Sequence, residues 1–164
     1  MGLTPYWIEP TFPGRLAIVP RPRGDDWLAD DLAALRAAGI NVLVSLLTGE
    51  EVEELGLNDE AKLSLAQGLS FISFPIPDRS VPASYNAVRE LVGELKRQLT
   101  VGKAVGIHCR ACIGRSALVA ACLLVGDRAK PEEAFQRISV ARRAQVPDTP
   151  EQVQWVRAFG GRSK

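Results

Sequence analysis

Lys103-Ala-Val-Gly-Ile-His-Cys-Arg-Ala-Cys-Ile-Gly-Arg-Ser-Ala-Leu-Val-Ala-Ala-Cys-Leu-Leu-Val125 sets a cysteine, five intervening residues and an arginine between two apolar runs. Residues 103–108 read as a short buried strand, and residues 116–125 as a buried helix starting near Gly114 or Arg115. The interval between them therefore sits at a helix N-terminus. There, unpaired backbone N–H groups and the positive end of the helix dipole favour an anion such as phosphate or sulfate. Cys109 stands at the strand end of that interval.

Each residue type in the interval suits an oxyanion held against a thiolate. A free thiol titrates near pH 8.5, and helix N-termini and nearby cations lower it to roughly 3.5–7.5, so Cys109 is expected to be an ionised nucleophile. Arg115 offers a planar fork for two anionic oxygens. The loop residues Arg110, Ala111, Cys112, Ile113, Gly114 and Arg115 would surround the anion, with Gly114 allowing close backbone approach or an unusual dihedral. Ser116 is placed to donate a hydroxyl hydrogen bond to the cysteine sulfur. His108, the sole histidine, is placed to fix the loop through backbone carbonyls.

The run His108-Cys109-x5-Arg115-Ser116 resembles the signature of the cysteine-dependent protein tyrosine phosphatases, especially the small dual-specificity type, whose pattern is His-Cys-x-x-Gly-x-x-Arg-Ser/Thr. Cys112 stands where that pattern has its first glycine. The resemblance covers approximately residues 7–155. It implies a three-layer α/β fold and a phosphatase that attacks phosphorus through Cys109, holds the equatorial oxygens with the loop amides and Arg115, and passes through a phosphocysteine without a metal or other cofactor. The implied partners are phosphoproteins or phosphopeptides carrying phosphotyrosine and, in a shallow pocket, phosphoserine or phosphothreonine.

A second segment, Ser70-Phe-Ile-Ser-Phe-Pro-Ile-Pro-Asp-Arg-Ser-Val-Pro82, runs from a strand-like stretch into a proline-rich loop bearing Asp78, 31 positions before Cys109. The resemblance implies a general acid on such a loop. An alkoxide or phenoxide leaving group needs a proton, and a carboxylic acid can donate it and later deprotonate the attacking water. The alternative role for Asp78 is turn stabilisation within Pro-Asp-Arg-Ser. Arg79 is read either as a substrate-orienting cation or as a solvated surface residue.

Other chemistries fit the residues less well. Cys109, Cys112 and His108 offer three soft ligands, but the remaining cysteine, Cys122, falls within an apolar helical run and reads as a small buried hydrophobe, so no zinc site is expected. A rhodanese-like sulfurtransferase shares the Cys-x5-Arg cradle; Asp78 and Ser116 speak against it. A non-enzymatic phosphopeptide-binding module would not need both Cys109 and Arg115. Cys112 also lies close enough in sequence to act as a resolving cysteine toward an oxidised Cys109.

The net charge of +1 gives no overall basic field for nucleic acid. Residues 50–60 hold six acids and no base, and residues 128–164 eight bases against four acids; both read as solvated faces. Three cysteines are too few for a disulfide scaffold, so a reducing, cytoplasmic setting is expected. The start lacks the basic and apolar regions of a leader, Tyr6 breaks the myristoylation pattern, and no apolar run reaches the ~20 residues that span a bilayer, so no membrane association is expected.

Along the chain, strand-like and helix-like segments alternate: strands at 15–19, 41–47, 69–76 and 103–108, and helices over about 26–38, 59–67, 83–99, 114–125, from Pro131, and from Pro150. Asp25 or Asp26 is a candidate cap for the first helix, whose apolar face includes Trp27. Thr149-Pro-Glu-Gln152 is a capping-box start; Gln152 is read as that cap, with water positioning at the site as the alternative. Trp7, Trp27 and Trp155 read as core or boundary residues. The order predicts one α/β domain over residues 1–164, with a mostly parallel central sheet and helices on both faces.

Overall fold

Residues 15–18 alternate in side-chain direction, as a strand must. Leu16 and Ile18 enter one buried cluster while Ala17 and Val19 enter another. The computed structural model describes residues 3–9 and 12–162. The start-of-chain reading rests partly on residues 1 and 2, and the basic tail includes 163 and 164; these lie outside the described residues.

Among the described residues five strands form one sheet, in the order β1-β2-β5-β3-β4. They are β1 (Tyr6–Trp7), β2 (Arg15–Ile18), β3 (Val42–Ser45), β4 (Ser70–Ser73) and β5 (Ala104–His108). β2, β5, β3 and β4 run parallel, and β1 closes one edge antiparallel to β2. β1, two residues long, was not expected from the sequence, because so short an edge strand carries no periodicity. Gly106 faces the side of Val19 and Ile40, where a Cβ would lie 2.8 and 3.2 Å from their side chains, so a glycine lets β5 pack centrally.

Helices cover both faces, as predicted. α1 (Leu28–Ala37) and α3 (Glu60–Ala66) lie on one side with Leu28, Leu32, Leu35 and Leu43 in the core. On the other lie α4 (Tyr85–Thr100), α5 (Arg115–Gly126), α6 (Pro131–Arg142) and α7 (Pro150–Arg162). α4 buries Val88, Leu91, Val92, Leu95 and Leu99, a stripe with the 3.6-residue period of a helix. α5 is buried almost all round, because it packs against α4, α6 and α7 as well as the sheet. Cys122 within it is fully buried, and burial pushes its thiol pKa up. Among the described residues no helix is long and apolar enough to cross a membrane.

Three readings are corrected. Neither Asp25 nor Asp26 caps α1: a 3-10 turn, Asp25–Trp27, leads into it from Gly24 without a side-chain cap. Trp27 is exposed rather than in the core, its ring covered by the Arg23 guanidinium 4.4 Å away. The acidic connector after β3 contains a helix, α2 (Gly49–Glu54), which Thr48 and Glu51 start with a reciprocal capping box. Trp7 is half-buried under the Arg15 guanidinium, and Trp155 stacks on Tyr85 and Phe159 in the core, as expected.

Candidate active site

Four parallel strands deliver their carboxyl ends to one edge of the sheet, where open α/β folds bind ligands. The turn after β2 brings Val19; β3 leads to α2 and Glu51; β4 leads to residues 76–80 and Asp78; β5 ends at His108 and passes Cys109 into the loop before α5. The sequence separates these residues widely, and the topology puts them side by side.

Arg115, the first residue of α5, is 1% exposed and lies at the centre of that cluster. Its Nη1 donates to Glu51 Oε1 at 2.6 Å and to the Ile76 carbonyl at 2.8 Å; Nη2 donates to Glu51 Oε2 at 2.9 Å and Asp78 Oδ1 at 3.0 Å. A buried guanidinium is tolerated only when its donors are paired, and here Glu51 supplies a bidentate match. Burial opposes ionisation of Glu51, but the hydrogen bonds from Arg115 and Thr48 outweigh it and hold the carboxyl below the usual range. For Arg115, burial works against the charge, and Glu51, Cys109 and Asp78 together raise its proton affinity.

Cys109 is buried, and its pKa is lowered to about 5. The Cys112 thiol is the largest cause; burial opposes it, and the Ser116 hydroxyl and amide and the Arg115 charge add to it. The Ser116 hydroxyl is buried without a hydrogen bond of full geometry, and it adds to the lowering from beside the sulfur. Cys112 has one thiol proton and two acceptors, the Val19 carbonyl at 3.0 Å and the Cys109 sulfur. The neighbouring thiolate and burial push its own pKa up.

The Cys112 backbone has φ +61°, the left-handed region. This accounts for a glycine in the family pattern at this place, while the thiol bond to Val19 and the Arg142 Nε bond to the Cys112 carbonyl at 3.1 Å hold the cysteine there. Gly114, by contrast, is needed for close approach: a Cβ would lie 2.9 Å from the Gln152 amide nitrogen and 3.0 Å from the Asp148 Cβ. Ala111 is exposed and Ile113 half-buried between them. Arg110 reaches outward to Glu54 at 3.2 Å.

His108 is fully buried. Its Nδ1 lies 3.4 Å from the Cys109 carbonyl, and the shorter partner, 2.6 Å from Nε2, is the buried Glu60 carboxylate. The expected carbonyl contact is therefore secondary to a carboxylate. Arg79 is solvated, paired with Asp148 at 3.0 Å. Gln152 is a cap: its Oε1 accepts from the backbone N–H groups of Asp148 and Thr149, and its Nε2 donates to the Ser80 carbonyl.

The residues singled out in the sequence, Cys109, Arg115, Asp78, His108 and Ser116, are brought to one place by the fold. Sequence reasoning missed Glu51 and Glu60. Thr48-x-x-Glu51 was legible as a capping box, but nothing in one sequence ties either carboxylate to residues 64 and 48 positions away.

This geometry, a buried cysteine beside a buried arginine at a strand–loop–helix junction, is that of the cysteine-dependent phosphatases of the protein tyrosine and dual-specificity type. A family model described as "Polymorphic toxin system, DSP-PTPase phosphatase" matches residues 19–129. The chain belongs to this family. Cyclin-dependent kinase inhibitor 3 of Rattus norvegicus is 28% identical over 131 residues, 79% of this chain and 61% of the relative, so the chain spans about three fifths of that protein's length. Kinase-associated phosphatase with its catalytic-site cysteine replaced by serine has the same fold, with a TM-score of 0.91 at 22% identity over 99% of this chain and 97% of the other. The active form of Tk-PTP follows at 0.80 and 24%, over 97% of each.

Proposed function

We propose that the protein hydrolyses phosphotyrosine, and phosphoserine or phosphothreonine, in phosphoproteins through a phosphocysteine. The observation that carries this reading is the meeting of the Cys109 thiolate, Arg115 and Asp78 within one site. Phosphate enters with its oxygens on the loop amides of residues 110–115 and on Arg115, where fixed donors stabilise charge without reorganisation. The sulfur lone pair forms the S–P bond as the P–O ester bond breaks, and Asp78, leaving Arg115, gives its proton to the departing oxygen. Asp78 then removes a proton from water, whose oxygen attacks phosphorus; the S–P bond breaks, phosphate leaves and the thiolate returns. Ser116 stabilises that leaving thiolate. Thiolate chemistry of this kind suits a reducing compartment, the cytoplasm in our reading.

Rapid acid quench during turnover of a ³²P-labelled phosphotyrosine peptide tests the proposal. Label is expected on the Cys109 peptide of the wild type and on none of the Cys109→Ser protein. Turnover without a labelled cysteine would remove the phosphocysteine route. A panel of phosphotyrosine, phosphoserine and phosphothreonine peptides beside phosphoinositides and mononucleotides tests the substrate class, and preference for the last two groups would overturn it.

A further inference from the structure

Gln152, at the third position of α7, is fully buried. Its Oε1 accepts the backbone N–H groups of Asp148 and Thr149 at 3.0 and 3.1 Å, and its own N–H donates to Thr149 Oγ1 at 3.2 Å, completing a capping box. That cap uses only the amide oxygen. The amide nitrogen donates to the Ser80 carbonyl, 72 positions earlier, at 3.0 Å, and the same amide rests against Gly114 of the phosphate loop. One buried side chain therefore touches the loop that carries Asp78, the loop that carries Cys109, and the start of α7.

The Asp78 loop needs such a fixing. The Asp78 side chain is 56% exposed, and the neighbouring ion pair of Arg79 with Asp148 is solvated, so it contributes little to holding the loop. Buried donors hold the segment at both ends: Arg115 on Ile76 and Asp78, Gln152 on Ser80. When phosphate occupies the loop, Arg115 must turn donors toward it and away from Asp78. The bond to Ser80 does not depend on Arg115 and persists through that exchange.

We propose that Gln152 is a positioning residue for proton donation by Asp78, holding Ser80 against Gly114 so that the carboxyl stays over the reacting ester while Arg115 is engaged with phosphate. The inference rests on the general-acid reading of Asp78. It assigns the amide nitrogen a role in rate that is separate from the oxygen's role in helix capping.

Gln152→Glu separates the two roles, because a carboxylate keeps the acceptor for residues 148 and 149 and loses the donor to Ser80. Gln152→Ala removes both and serves as the second variant. The readout is kcat/KM at pH 7.5 for phenyl phosphate, a poor leaving group, against p-nitrophenyl phosphate, a good one, with Asp78→Asn and the Asp78→Asn/Gln152→Glu double variant alongside. Expected for Gln152→Glu is a loss of about tenfold or more on phenyl phosphate and less than about threefold on p-nitrophenyl phosphate, a part of the roughly 10²–10⁴-fold that general acid catalysis supplies. The loss should vanish in the Asp78→Asn background, the non-additivity of two residues serving one step, and the rate of Cys109 alkylation by iodoacetamide should not change. Equal losses on both esters, no loss in either Gln152 variant, or additive losses in the double variant would overturn the proposal. If Asp78→Asn itself shows no leaving-group dependence, the general-acid reading fails first, and the proposal with it.

Discussion

Arg115 donates two charge-assisted hydrogen bonds, of 2.6 and 2.9 Å, to the Glu51 carboxylate across 64 positions of chain. The carboxylate fixes the guanidinium plane before any phosphate arrives and links the capping box of α2 to the anion site. Removing one partner of a buried pair leaves the other charged and unpaired. Glu51→Ala is expected to cost about 3 kcal/mol of stability, measured by urea unfolding, and to weaken binding of inorganic tungstate. Unchanged stability would show that Ile76 and Asp78 suffice to hold Arg115.

The same pair gives a pH dependence. Because the folded pKa of Glu51 lies below its unfolded value, near 4.3, its contribution is complete above that value and is lost as pH falls through the lower, folded one. Stability of the wild type should fall more steeply than that of Glu51→Gln as pH drops below about 4.3. Parallel curves would mean that the carboxylate gains nothing from Arg115.

Cys109, with a pKa of about 5, is expected to be alkylated by iodoacetamide at a rate that rises through pH 5 and is flat at neutrality, with phosphate protecting it. Cys109→Ser should abolish turnover while retaining tungstate binding, since a serine hydroxyl stays protonated and is a poor nucleophile. A midpoint near the ordinary thiol value of about 8.5 would remove the thiolate from the resting enzyme.

Arg115→Lys is expected to lose at least about 10²-fold in kcat, the scale of losing an oxyanion donor, since an ammonium cannot offer the same fork to phosphate and to Glu51. A nearly unchanged kcat would place the charge stabilisation elsewhere.

Cys112 joins two roles at one glycine-like position. Cys112→Gly should relieve the left-handed backbone and raise the Cys109 alkylation midpoint, because the thiol that stabilises the sulfur is gone. We also propose that it resolves oxidation. Hydrogen peroxide converts the Cys109 thiolate to a sulfenic acid with release of hydroxide; the Cys112 sulfur then attacks it, forming a Cys109–Cys112 disulfide and expelling water. Sulfenylation also removes the negative charge that raises the Cys112 pKa. Peptide mapping after mild peroxide should find this bridge in the wild type, and dithiothreitol should recover wild-type activity more fully than that of Cys112→Gly. Equal recovery would leave Cys112 with its loop-holding role alone.

Local patterns made the framework legible. The apolar strand into Cys109, the stripe of α4 and the capping box of α7 are written in neighbouring residues, so spacing reveals them, and His108-Cys109-x5-Arg115-Ser116 is contiguous because one loop must curl around one anion. Tertiary structure alone decided the rest. Glu51 and Glu60 reach Arg115 and His108 because parallel strands bring their carboxyl ends to one edge, and no local rule records which acidic side chain will pair with a buried basic one. The Gln152 amide reads as a cap in sequence and becomes a link between two loops only once α7 is docked beside Gly114. A side chain's covalent neighbours are fixed by sequence, but the partners of its buried polar atoms are fixed by whichever distant backbone excludes water from them.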